Sequence, residues 1–274
     1  MTAEAPTPTL NLTNWWKTSF ESDVYRIVQP AERGPAVLAA ELALLPQWLK
    51  LSPGQTVLDV ACGDGRLAVP LAAAGYKVVG LDQSPKLLSQ AKRRFAEAQG
   101  RLELVTGDMR AFQLPKPVDA IACVFASFGM FLDERDHLKT LQAFQAALKP
   151  GGRLYLEVFN PFYFVFAVQQ TAPIGDGVLV YESALDHRRG RLNSQVHLGV
   201  TGKPLQTVTL SWRVFAMWEI ARLLDTAGFT LLQTNGGIGF PDEFQPVRHN
   251  VLGLIAERKA ATAPATGTGP LPTR

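Results

Sequence analysis

The 274-residue chain predicts an α/β fold: a doubly wound, mostly parallel seven-stranded sheet, with an N-terminal helical cap and a small antiparallel β insertion. Three observations predict it. Apolar runs alternate with helical patterns from about Val57 to Phe159, and such alternation builds a parallel sheet covered on both faces. The first run, Val57-Leu58-Asp59-Val60, passes through Ala61-Cys62-Gly63-Asp64-Gly65-Arg66 into an apolar-rich helical pattern from Leu67. That order reads as buried strand, tight glycine turn and helix. From Val178 the period changes to short strands, with turns at Arg189-Gly190 and Gly202-Lys203-Pro204.

Taken in order, residues 1–10 are expected to be disordered and 11–51 to form the cap. The cap carries Trp15, Trp16, Phe20 and Tyr25, then a helix through Val37 to Leu45. The core, 52–171, takes strands near 56–61, 77–82, 102–108, 118–126 and 153–160. Its clearest helices are Ser84–Gln99, opened by a capping serine and a first-turn proline, and Glu134–Leu148. The insertion, 172–216, holds strands at Val178–Leu185, Leu192–Val200 and Thr207–Ala216. Residues 217–259 return to the core with a helix near Met217–Ala227 and strands near Thr230–Asn235 and Val251–Arg258. The tail, 260–274, is rich in Ala, Thr, Pro and Gly and is expected to be disordered.

The glycine turn brings bare backbone N–H groups close to a ligand. Gly63-Asp64-Gly65-Arg66-Leu67-Ala68 satisfies the loose dinucleotide pattern, yet Asp64 would put a carboxylate where a pyrophosphate should sit. Asp59 looks at the ligand from the strand itself. The second strand ends in Asp82, which can accept both hydroxyls of a ribose. The third ends in Asp108, which can accept from an exocyclic amine such as adenine N6. Three acids at successive strand ends describe a site for an adenosine that carries positive charge.

On these residues the chain resembles the class I S-adenosylmethionine-dependent methyltransferases of the small-molecule type, with their Rossmann-like sheet. Asp59 to Gly65, Asp82 and Asp108-Met109 resemble the first three motifs. Val118 to Phe125 with Ala126-Ser127-Phe128-Gly129 resembles the fourth, and Leu148-Lys149-Pro150-Gly151-Gly152-Arg153-Leu154 the turn before strand five. Arg213-Val214-Phe215, Glu219 and Ala227-Gly228-Phe229 resemble a pattern that follows an inserted β segment in several small-molecule members. The resemblance implies S-adenosylmethionine as cofactor, held by Asp59, Ala61, Gly63, Gly65, Asp82, Gln83, Asp108, Met109, Val124 and Phe125. It implies a small-molecule acceptor near Tyr25, Ser127, Phe128, Tyr163 and Arg213. No side chain stands out as a general base; Tyr163, Arg213 and His197 are the candidates. A base is needed only where the nucleophile arrives protonated and cannot lose its proton to water.

Composition narrows the alternatives. The net charge of +3 is spread over short basic clusters, Lys92-Arg93-Arg94 and Arg188-Arg189 with Arg191, which read as solvated surface and not as a nucleic-acid-binding face. Cys62 and Cys123 read as small buried residues, and the four histidines show no metal-ligand spacing, so no metal is expected. With no signal sequence in Met1–Leu10 and no membrane-length apolar run, a cytoplasmic monomer or homodimer is expected. Asn160-Pro161-Phe162-Tyr163 resembles the Asn-Pro-Pro-Tyr signature of base-amine methylation, but it follows the fifth strand instead of the fourth and is rejected on that ground. The other readings are an RNA or protein methyltransferase, a dinucleotide-dependent oxidoreductase, or a relic that binds the cofactor without catalysis.

Overall fold

A computed structural model describes residues 12–32, 34–94, 101–166 and 168–260. The disordered ends expected at 1–10 and 260–274 lie outside the described residues, apart from Ala260. The main sheet has seven strands: β1 (Thr56–Val60), β2 (Lys77–Asp82), β3 (Leu102–Thr106), β4 (Val118–Cys123), β5 (Leu148–Phe159), β10 (Phe229–Asn235) and β11 (Val251–Arg258). Their order is β10-β11-β5-β4-β1-β2-β3. β11 runs antiparallel to both β5 and β10, and the other neighbours are parallel. The chain winds outward from β1 through β2 to β3, then returns to lay β4 and β5 on the other side. The direction of winding therefore reverses between β1 and β4, and open α/β sheets bind ligands at such a reversal, outside the strands' carboxyl ends.

The helices are α1 (Trp16–Ser19), α2 (Asp23–Glu32), α3 (Pro35–Trp48), α4 (Ala68–Ala73), α5 (Pro85–Arg94), α6 (Glu134–Ala147) and α7 (Met217–Thr226). α5 was expected to reach Gln99, but 95–100 lie outside the described residues. One core layer packs α6 and α7 against the sheet around Leu141, Phe144, Ile220 and Leu224. The other packs α3 and α4 around Leu45, Leu71, Val57 and Tyr155. Asp133 caps α6 by accepting from the Arg135 N–H, and Glu219 of α7 reaches back to the Ala216 N–H.

A second sheet of four antiparallel strands follows β5: β6 (Val168–Ile174), β7 (Gly177–Asp186), β8 (Arg191–Val200) and β9 (Gln206–Arg213). The sequence indicates three of these and misses β6. That strand reads Val-Gln-Gln-Thr-Ala-Pro-Ile, with no apolar alternation, because it is a solvated edge; Pro173 is tolerated there for the same reason. The sheet consequently begins at Val168, not at 172.

The expected cap divides in two. α3 is apolar nearly all round and packs on the main core, whereas the segment around α1 and α2 lies on the second sheet. Trp15, Trp16 and Val24 bury against Leu179, Val196, Leu210 and Trp212. Each full burial of an apolar side chain stabilises by about 1.5–3 kcal/mol. Ser19 Oγ donates to the Thr209 carbonyl at 3.0 Å, fixing the register of the layer.

The basic cluster read as solvated is only partly so. Arg188 and Arg189 are exposed, but Arg191 is buried. Its guanidinium donates to Ser211 Oγ (2.9 Å), the Ser211 carbonyl (2.8 Å) and the Phe131 carbonyl (2.7 Å), joining the second sheet to the turn after β4. Five donors in a rigid fork suit a site lined with carbonyls. Burial, offset by Glu134, brings this arginine down to about 10. His137 of α6 is fully buried among Phe128, Phe131 and Phe215, and burial, with the Arg191 and Arg213 charges, pushes it down to about 4.

Candidate active site

A cavity of about 450 Å³ lies over the carboxyl ends of β1, β2 and β4, where the winding reverses. Its floor is the glycine turn. Gly63 has φ +56° with open space where a side chain would stand, and the open space lets a ligand approach the backbone. Gly65 has φ +80°, and a Cβ there would press on Ala91 of α5 and Val69 of α4 at 3.0 Å, so its role is helix packing. Of the expected cofactor residues, Asp59, Ala61, Gly63, Asp82, Gln83, Asp108, Met109, Val124 and Phe125 all line this cavity, and Gly65 does not.

The three acids occupy three different electrostatic states. Asp59 is buried, and desolvation outweighs the nearby Arg66 charge and pushes its carboxyl up to about 7. Its Oδ2 has no hydrogen-bond partner among the described residues, and neither has Oδ1 of Asp64. Asp82 spans two elements: Oδ2 accepts from the Gly63 N–H at 2.8 Å, and Oδ1 from the Ser84 N–H at 2.9 Å. Burial raises its carboxyl, while the Ser84, Gly63 and Gln83 N–H groups pull the other way. Asp108 lies two residues beyond the end of β3, not within it. Burial acts to raise its carboxyl, but Arg110 outweighs this and holds it below the usual range. Arg110 Nη2 donates to Asp108 Oδ2 at 2.6 Å and Arg110 Nε to Oδ1 at 3.0 Å. The carboxylate is thus presented to the cavity already engaged from behind.

Sequence reasoning missed two acids. Glu41 of α3 is fully buried and forms a bidentate pair with Arg66, at 2.5 and 2.8 Å, which holds the glycine turn against α3. An acid inside the apolar run Ala39-Ala40-Glu41-Leu42-Ala43 was the available signal. Glu157 of β5 is buried and accepts from the backbone after β4.

The roof comes from the N-terminal segment and the turn after β4. Trp16, Phe20, Tyr25, Met130 and Phe131 supply apolar wall, with Ser127 among them. Glu21 closes the contact: its Oε1 accepts from Ser84 Oγ at 2.5 Å, and its carbonyl accepts from Lys86 Nζ at 3.0 Å. Phe125 and Ala126 have φ of +63° and +53°. Left-handed backbone costs about 1–3 kcal/mol at each such residue and persists only where surrounding contacts over-determine it. The 3₁₀ turn Ser127–Met130 follows, and a Cβ on Gly129 would meet the Arg213 carbonyl at 2.6 Å.

Of the acceptor candidates, Tyr25 and Ser127 line the cavity and the others lie elsewhere. Phe128 is fully buried between His137 and Phe215, because the 3₁₀ turn sends adjacent side chains to opposite sides. Tyr163 is partly exposed and packs on Phe164. Arg213 pairs with Glu134 and Glu219, both at 2.9 Å, and stacks on Phe215. His197 lies on β8, beside Thr207 Oγ1 at 2.8 Å. Asn160 is buried and spent on structure, donating to the Pro246 and His249 carbonyls. Among the described residues, no three His, Cys, Asp or Glu converge to hold a metal, and no helix is long and apolar enough to cross a membrane.

The fold is the one seen in solved S-adenosylmethionine-dependent methyltransferases, and residues 57–152 match the family described as a methyltransferase domain. The chain is 26% identical over 212 residues to the cypemycin N-terminal methyltransferase of a Streptomyces species, covering 75% of this chain and 84% of that protein. It is 29% identical over 158 residues to the ubiquinone biosynthesis O-methyltransferase of Xanthomonas campestris pv. campestris, covering 56% of this chain and 60% of that protein. The solved CcbJ methyltransferase of Streptomyces caelestis shares the fold, with a TM-score of 0.72 at 18% identity over 82% of this chain and 89% of that one.

Proposed function

We propose that the protein transfers a methyl group from S-adenosylmethionine to a small-molecule acceptor bound beneath the N-terminal segment. One observation carries the reading. A single cavity joins the strand-end acids and the glycine turn, where Asp59 and Asp64 each keep one buried oxygen without a hydrogen-bond partner among the described residues, to an aromatic roof contributed by a different part of the chain. An unpartnered buried carboxylate oxygen is costly unless a donor or a cation completes it. Asp59 and Asp64 fit the cationic amino acid end of the cofactor, Asp82 the ribose hydroxyls, and Asp108 with Met109 the adenine edge. The bound cofactor supplies a methyl group already activated by its sulfonium. The protein's part is to hold the nucleophile in line and to exclude water, and orientation of this kind reaches effective molarities of about 10⁵–10⁸ M. Trp16, Phe20, Tyr25, Met130 and Phe131 exclude water, and Ser127 offers a hydroxyl at the same wall.

The N-terminal segment lines the cavity and packs on the second sheet behind it, and we assign acceptor choice to that layer and cofactor binding to the core. The relatives include N- and O-methyltransferases, so the methylated atom is left to experiment. Incubating the protein with a metabolite pool and a deuteromethyl-labelled donor is expected to yield a product with CD₃ in place of H. Tight cofactor binding without any labelled product from small-molecule or peptide pools would favour a non-catalytic binder. Arg213→Ala is expected to lower Tm by several degrees, since it braces α6, α7 and β9, and to leave the acceptor KM unchanged. A rise in that KM with unchanged Tm would return Arg213 to the acceptor site.

A further inference from the structure

The geometry points to Glu157 as the positioning residue that sets the acceptor wall of the cavity. It never touches the cavity itself, and the assignment rests on the methyltransferase reading above. Glu157 sits near the end of β5, buried, opposite Gly253 of β11. Its Oε2 accepts from the Phe125 N–H at 2.6 Å. Its Oε1 accepts from Tyr155 OH at 3.0 Å and from the Ile238 N–H at 3.3 Å. One carboxylate thereby joins the turn after β4, the middle of β5 and the loop between β10 and β11.

The short bond to Phe125 is made at the first of two consecutive left-handed residues. Their conformation turns the chain sharply out of β4. Val124, Phe125, Ser127, Met130 and Phe131, all on the cavity wall, belong to this turn. Without an acceptor for the Phe125 N–H, a buried donor is left unpaired and the strained turn loses a contact that holds it. A carboxylate suits the task because it is acceptor-only, with room for several donors. A glutamine could still turn its one oxygen to the Phe125 N–H and donate its amide to the Tyr155 hydroxyl, whereas a leucine of similar size offers no acceptor at all. Displacing the wall by even about 1 Å is enough to cost on the order of a hundredfold in rate where alignment carries the catalysis.

The test compares the full-length wild type with Glu157→Leu and Tyr155→Phe. Hydrogen exchange by mass spectrometry is expected to show faster exchange over 124–131 in Glu157→Leu, with the glycine turn at 61–66 unchanged. Its turnover of the acceptor should fall about tenfold to a hundredfold, mostly in kcat, while the S-adenosylmethionine Kd from calorimetry stays within about threefold. Tyr155→Phe removes one donor but leaves the Phe125 bond, so it should lower Tm and keep both the local exchange pattern and turnover. Unchanged exchange over 124–131 in Glu157→Leu would overturn the assignment. So would a general rise in exchange with equal losses of cofactor affinity and turnover, which would make Glu157 an ordinary core group. If the wild type binds cofactor but methylates nothing, the functional reading fails. The exchange pattern then decides the role of Glu157 in the turn by itself.

Discussion

Asp82→Ala is expected to weaken S-adenosylmethionine binding on the order of a hundredfold or more. The carboxylate holds the Gly63 and Ser84 N–H groups and faces the cavity. An ionised carboxylate offers about four lone-pair sites. The backbone N–H groups draw on part of that capacity, and the side of the carboxylate that faces the cavity is left for the ribose hydroxyls. Hydrogen bonds to a charged group contribute about 1.5–3 kcal/mol each, and every 1.4 kcal/mol is about tenfold in Kd. Losing two such bonds gives the stated weakening before any loosening of the glycine turn is counted. Calorimetry below the Tm of both proteins measures it. A Kd within about tenfold of wild type, together with a lowered Tm, would mean that Asp82 only fastens the turn to α5.

Asp82 also shows why the strand-end side of the cavity was legible. In a parallel sheet the residue that ends a strand is fixed in space by the sheet. An acid at a strand end is therefore an acid at the crevice. Asp59, Asp82 and the Gly63 turn could be read from spacing alone. Asp108 sits beyond its strand, but the Arg110 fork anchors it at the same crevice. The rest of the cavity has no such rule. Ser127 and Phe128 are neighbours, yet one lines the cavity and the other is core, because a 3₁₀ turn and two left-handed residues decide their directions. Sequence distance from the strand end carried no information about that.

The missed residues have physical reasons as well. Arg191 sits in a basic cluster that looks like surface, and only the packing of the second sheet against the turn after β4 buries it. β6 lacks the alternating pattern because neither of its faces is fully covered. Glu157 follows an apolar run on β5, as Asp59 stands inside one on β1. A buried acid needs donors or a ligand to complete it: Glu157 has its donors within the fold, and Asp59 keeps one oxygen without a partner among the described residues. Asp59 is marked in the sequence by the glycine turn that follows it, whereas no such turn follows Glu157, and two of its donors come from remote loops.

The largest effect on stability is expected from a pair of buried groups with opposite pH responses. His137 titrates near 4 in the folded protein, against an ordinary 6.5, because burial and two arginines disfavour its charge. Between those values the unfolded chain binds the proton more readily, so folding loses stability as pH falls from about 6.5 to 4. Asp59 titrates near 7, against an ordinary 3.8, because burial disfavours its charge. Between those values the folded chain binds the proton more readily, so folding gains stability as pH falls from about 7 to 4. Each contribution is on the order of 3–4 kcal/mol, at 1.36 kcal/mol per pKa unit. They oppose each other over nearly the same window. Asp82, also raised, adds to the Asp59 side. Asp108, Asp119, Asp136 and Asp186 are held low and respond chiefly below about 4. Urea unfolding of the cofactor-free protein between pH 5 and 7 should therefore show a shallow dependence in the wild type. Asp59→Asn should lose stability steadily on acidification and exceed the wild type above pH 7, where the buried charge is no longer there to oppose folding. His137→Leu should gain stability on acidification, whatever constant offset its altered packing adds. Parallel slopes in the two variants would show that neither group carries the pH response, and the assignment of Asp59 as a carboxylate that awaits a cation would lose its energetic support.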